Sequence, residues 1–178
     1  MRVMKNLSAF LATGLLSAGL AHADICADMG AIYSQSQSHF DGWKKEATEG
    51  TEGARKEYGS SFQLDGARSC AISGDSAGYS CIWRLATPAE LGQAYQRMVD
   101  GIKACPPLLK QAPGIINDKP QERLQGNLRR AMEVTGFDYG DAGVVVMVGQ
   151  MQVTSIQSGT NVSRNELKFS FVRAAARP

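Results

Sequence analysis

Histidine is almost missing from this chain, with two in 178 residues, His22 and His39. That shortage argues against zinc sites built on imidazole pairs and leaves little for nucleophiles that need an imidazole base. An excess of charge of one sign is missing too. Lys and Arg number 19 against 17 Asp and Glu, and Arg2 and Lys5 lie in the first 23 residues, so residues 24–178 balance at 17 against 17. A neutral chain carries no electrostatic footprint for nucleic acid. Beyond the first 20 residues no apolar run approaches the ~20 residues of a membrane-spanning helix. There is no low-complexity segment and no internal repeat of sequence.

What is present begins with a leader. Arg2 and Lys5 make a basic start, Leu7 to Leu20 an apolar stretch, and Ala21-His22-Ala23 a small-x-small cleavage site before Asp24. The style of that site is bacterial, and the residues before Cys26 are not those of a lipoprotein signal. The expectation is a cleaved signal peptide over 1–23 and one α+β domain over 24–178, periplasmic or secreted, with no transmembrane anchor.

All four cysteines, Cys26, Cys70, Cys81 and Cys105, lie beyond the leader. An even count in an oxidising compartment implies two disulfides, with three possible pairings. Cys70-Ala71-Ile72 and Tyr79-Ser80-Cys81-Ile82-Trp83 are strand-like runs around the turn composition Ser73 to Gly78. A turn centred on Asp75-Ser76 sets Cys70 opposite Cys81, Ile72 opposite Tyr79 and Arg68 opposite Trp83. Cys70 and Cys81 then share a face and can bridge, which leaves Cys26 for Cys105.

The clearest helix start is Thr87-Pro88-Ala89-Glu90. Thr87 and Glu90 form a capping box, and Pro88 sits where a missing N–H costs nothing. Leu91, Ala94, Tyr95, Met98, Ile102 and Cys105 come after it on one helical face, and Pro106-Pro107 ends the helix. Cys26, Met29, Tyr33, Phe40 and Trp43 also recur at helical spacing, which predicts a helix from 25 to about 45. The first turn of that helix would meet the last turn of the other through Cys26 and Cys105.

The intervening segment 47–60 is rich in Glu, Gly and Lys and reads as a solvated loop, with Ser61 to Leu64 a short strand. Residues 106–127 hold four of the six prolines and read as a long connection, of the kind that is functional or mobile in compact domains. The last third is β in character. Strands are expected near 128–135, 143–155 and 165–174, with Ser158 to Asn161 as a turn.

Chemistry is harder to find. Gly74-Asp75-Ser76-Ala77-Gly78 matches G-x-S-x-G and resembles the nucleophile elbow of some esterases. That motif requires a strand–turn–helix with an acid and then a histidine downstream, and His39 lies upstream. A His39–Asp65–Ser76 order is formally met at intervals too short for two barrels. Turn residues chosen for backbone freedom explain the pentapeptide. Asp24, Asp28, His39 and Asp41 spread over different helical faces, so no metal is expected. Acidic residues are plentiful, but nothing selects a catalytic pair. Trp43, Tyr79 and Trp83 read as core, Arg129-Arg130 as a solvated pair, and Asn161-Val162-Ser163 as a sequon that matters only in a eukaryotic secretory route.

The sequence therefore predicts two helices packed on one face of a mostly antiparallel sheet, with two intrachain disulfides. Its leading function is a non-enzymatic exported protein that binds another exported protein, such as an inhibitor, immunity or accessory protein, and it needs no cofactor. The expected contact surfaces are the 73–78 tip, through Gly74, Asp75 and Ser76, and the 106–127 connection, through Ile115 and Ile116. The alternatives are a binder of a small apolar ligand between sheet and helices, and a small carboxylate-type hydrolase.

Overall fold

The computed structural model describes residues 24–48, 56–74, 77–106, 112–117, 120–125, 128–157 and 160–173. In chain order these form α1 (Ile25–Ser36), β1 (Lys44–Thr48), β2 (Glu57–Ser60), β3 (Ser69–Ser73), β4 (Ala77–Leu85), α2 (Pro88–Ala104), β5 (Gly114–Asn117), β6 (Gln121–Gln125), β7 (Leu128–Tyr139), β8 (Val144–Gln157) and β9 (Thr160–Arg173). The leader falls outside the described residues.

The nine strands make one antiparallel sheet in the order β1-β2-β3-β4-β9-β8-β7-β5, and β6 lies along the same edge of β7 as β5. Both helices pack on one face, so the architecture is the α+β arrangement read from the sequence.

Strand alternation decides which residues meet the helices. Register sets Phe137, Val146, Phe171, Tyr79 and Ile72 side by side across five strands, and all are buried. The next inward rung is Thr135, Val148, Phe169, Cys81 and Cys70, also buried. Each large apolar side chain in these rungs contributes roughly 1.5–3 kcal/mol on burial. Further along, the inward rung of Glu133, Gln150, Leu167 and Trp83 turns partly polar, and there Gln150 donates to Glu133 at 2.7 Å.

α2 lays Leu91, Tyr95, Val99 and Ile102 on this core, a stripe of about one turn's spacing. Its capping box is complete: the Glu90 N–H donates to Thr87 Oγ1, and the Thr87 N–H donates to the Glu90 carboxylate. The helix ends at Ala104, with Cys105 as its cap.

Cys26–Cys105 and Cys70–Cys81 are the two disulfides, and Cys70 lies opposite Cys81 as the hairpin register requires. The first bridges the start of α1 to the end of α2. There a Cβ on Gly101 would stand 3.1 Å from Ile25 Cγ2, so a small residue lets the helices approach.

Four expectations are corrected. The helix expected to about 45 ends at Ser36, because His39 and Phe40 adopt left-handed backbone (φ 52° and 60°) and reverse the chain. Phe40 and Trp43 still reach the core, but from a turn. Phe40 packs beside Tyr79 and edge-on to Phe171, and Trp43 stacks on Phe62 at 4.3 Å. The segment read as a loop from 47 to 60 contains β2 and the end of β1, with 49–55 outside the described residues. Ser61 to Leu64 is no strand; it bends so that Leu64 is buried and Phe62 accepts a hydrogen bond from the Tyr79 hydroxyl. The 106–127 connection contributes β5 and β6, which β7 can pair because it is twelve residues long rather than eight.

Candidate functional site

Gly74 is exposed at the hairpin end, where its N–H donates to the Lys56 carbonyl at 2.7 Å. A Cβ at Gly74 would stand 2.8 Å from that carbonyl oxygen, so glycine is required for the close approach to β2. Asp75 and Ser76 lie outside the described residues. Ala77 opens β4, so the G-x-S-x-G pentapeptide joins strand to strand, and the strand-to-helix turn of a nucleophile elbow is not formed.

Ile115 and Ile116 sit in β5, opposite Phe137 and Gly136, and are 51% and 52% exposed. They share the same end of the sheet as Gly74. Four inter-strand steps separate β5 from β4, however, roughly 19 Å at ~4.8 Å each. The two expected contact surfaces are therefore separate.

β5 is held in place from behind. The Tyr95 hydroxyl lies 2.8 Å from Thr135 Oγ1, which donates to Asn117 Oδ1 at 3.2 Å, so α2, β7 and β5 are linked through one buried threonine. Burial raises the pKa of Tyr95 above its ordinary value, which keeps the hydroxyl protonated and able to donate. Among the described residues no strand pairs with the far side of β5. An uncovered edge of this kind presents unpaired N–H and C=O groups. The opposite edge differs: β1 carries Lys44, Lys45 and Glu46, and charged edge residues discourage further pairing.

The helix-free face of the sheet continues from β5. Alternation places Ile116, Val134, Met132, Met147, Met151 and Ile82 outward. Met132 is 42% exposed. Gly149 has no side chain among them, and the result is a hollow of about 220 Å³. Lys168 lines it too, as does Glu166, which pairs with Arg84 at 3.3 Å and Arg164 at 3.8 Å. Methionine side chains adapt to varied shapes, which suits a binding surface. This face is not among the surfaces expected from the sequence. A signal for it exists, because β8 is apolar in both phases: Val144, Val146 and Val148 inward, Val145, Met147 and Met151 outward.

On the other side, between α1, α2 and the sheet, lies a larger cleft of about 530 Å³. Leu64, Trp83, Leu85, Met98 and Leu167 form its apolar walls, with Asp28, Asp65 and Arg97 also lining it. The Trp83 indole is fixed by donating to the Asp65 carbonyl at 2.9 Å. Asp28 has its pKa raised, first by burial and then by the neighbouring carboxylates Asp24 and Asp65.

Among the described residues no three of His, Cys, Asp and Glu come together in a way that could hold a metal ion. No protein-family model matches the chain, and no curated protein matches it in sequence.

Proposed function

We propose that this protein is a non-catalytic exported binding protein that takes an extended segment of another exported protein along the β5 edge. The observation that carries this reading is the contrast between the two sheet edges. β1 is charged, whereas β5 is the uncharged part of an edge that continues into Glu122 and Arg123 of β6. Among the described residues no strand pairs with the far side of β5, and it carries two half-exposed isoleucines. Strand addition draws affinity from main-chain hydrogen bonds and selectivity from side-chain contacts on alternate residues. Ile115 and Ile116 point to opposite faces, so an added strand meets one of them on each side of the sheet. The methionine-lined face beyond Ile116 gives the rest of the partner an adaptable apolar surface.

Export is part of the proposal. Two disulfides suit an oxidising compartment, and no helix among the described residues is long and apolar enough to cross a membrane.

The test is photocrosslinking from position 115 or 116 in the exported fraction, compared with a probe at Lys45 on β1. The expected result is one protein crosslinked from β5 and none from β1. Ile115→Lys with Ile116→Lys should abolish its co-purification while the circular dichroism spectrum is unchanged. Equal crosslinking from both edges, or co-purification indifferent to the double substitution, would sink the reading.

A further inference from the structure

The 530 Å³ cleft between α1, α2 and β4 lies on the opposite side of the sheet from the methionine face, and strand addition makes no use of it. Its walls are apolar, and its volume falls within the range of small-molecule sites. The charges that line it are unequal in kind. Asp28 is half-buried in the first turn of α1, and neither it nor Asp65 has a side-chain hydrogen bond or ion pair among the described residues. Asp65 and Arg97 are both exposed, so water reaches the Asp65 carboxylate and the Arg97 guanidinium. Among the described residues, Asp28 is the one charged group of the cleft that is partly withdrawn from water without a partner. The unmet requirement in the cleft is therefore for positive charge beside Asp28, next to an apolar floor.

We propose that this cleft binds a small amphiphilic amine, its ammonium group between Asp28 and Asp65 and its aliphatic or aromatic body against Trp83, Met98 and Leu167. An ammonium can donate to both carboxylates at once, and charge-assisted hydrogen bonds are the stronger kind. Trp83 offers a ring whose indole N–H is already used by the Asp65 carbonyl, which leaves its faces for apolar or cationic contact. The raised pKa of Asp28, with no cation among its causes, agrees with a carboxylate that lacks its counter-charge.

Calorimetric titration of the mature protein with n-octylamine, n-octanol and octanoate tests this at neutral pH. The amine should bind with a millimolar or tighter dissociation constant, and the alcohol and the acid at least about tenfold more weakly. Asp28→Asn should bring the amine down to the level of the alcohol. Ala94→Phe, which fills the cleft from α2, should remove binding of both. Equal affinity for amine and carboxylate, amine binding unchanged in Asp28→Asn, or no binding of the amine at millimolar concentration would each overturn the proposal. The Ile115→Lys, Ile116→Lys variant should bind the amine as wild type does, which separates this site from the β5 edge.

Discussion

Removing the Cys26–Cys105 bridge tests how α1 is held. The bridge closes a loop of 79 residues, and the chain-entropy relation gives about 4.5 kcal/mol for that length. The Cys70–Cys81 bridge closes only 11, for roughly 3 kcal/mol. Cys70 and Cys81 are buried, however, so replacing them with alanine also removes packed sulfur atoms, for about 1–2 kcal/mol more. C26A/C105A and C70A/C81A should therefore lose similar total stability. Location separates them, not magnitude. Without the long bridge, α1 keeps Met29 and Ile32 as its buried apolar anchors, whereas β3 without the short one remains paired on both sides, by β2 and β4. Urea unfolding should show a midpoint lowered by about 2 M in C26A/C105A, given a slope of about 2 kcal/mol per M. Amide hydrogen exchange should then show protection lost first in Ile25–Ser36, with β8 and β9 still protected. A loss under about 2 kcal/mol, or exchange rising evenly over α1 and the central strands, would refute this account of α1.

Two further substitutions probe the backbone and the charges. His39 is exposed with φ 52°, a conformation that costs an L-residue about 1–2 kcal/mol. His39→Gly removes that cost and adds roughly 0.5–1 kcal/mol of chain entropy, so thermal unfolding should show a net gain of about 0.5–1 kcal/mol; a loss would count against the turn. Asp28 has a folded-state pKa raised above its ordinary 3.8, so its charged form is disfavoured by folding. The penalty is complete above the folded pKa and vanishes as pH falls below the ordinary value. Asp28→Asn should thus be more stable than wild type at neutral pH, by under about 1 kcal/mol after solvent screening, and no more stable at pH ~3. A gain that persists in acid would contradict the cause given.

The elements legible in the sequence are those whose signals are local and redundant. The capping box, Pro88 and an apolar stripe all point to α2. The hairpin register, set by a short turn, brings Cys70 to Cys81 and leaves the second bridge by elimination. Helical spacing misleads at Phe40 and Trp43, because a turn through left-handed His39 and Phe40 delivers the same two rings to the core. Nothing in their residue types signals that reversal. The edge strands are hard to read because Lys44–Thr48 and Gly114–Asn117 are four or five residues long without alternation. Both exist only because a neighbour supplies the pairing. Ile115 and Ile116 stand out as apolar residues in a proline-rich stretch, but their place on an open edge depends on β7 running on to Tyr139.

The sheet thus presents two surfaces with different chemical demands. Its helix-covered side leaves a cleft where a half-buried carboxylate meets an indole and aliphatic walls, a setting suited to one small molecule with one charge. Its bare side carries methionines around Gly149 and leads to an edge that is uncharged along β5 and charged along β6, a setting suited to a larger and less regular partner. β4 contributes to both, since Trp83 faces the cleft and Ile82 the methionine hollow. Occupants on the two sides would thus touch adjacent residues of one strand. A coupling between them would act through that strand and would appear equally in both directions, as linkage requires.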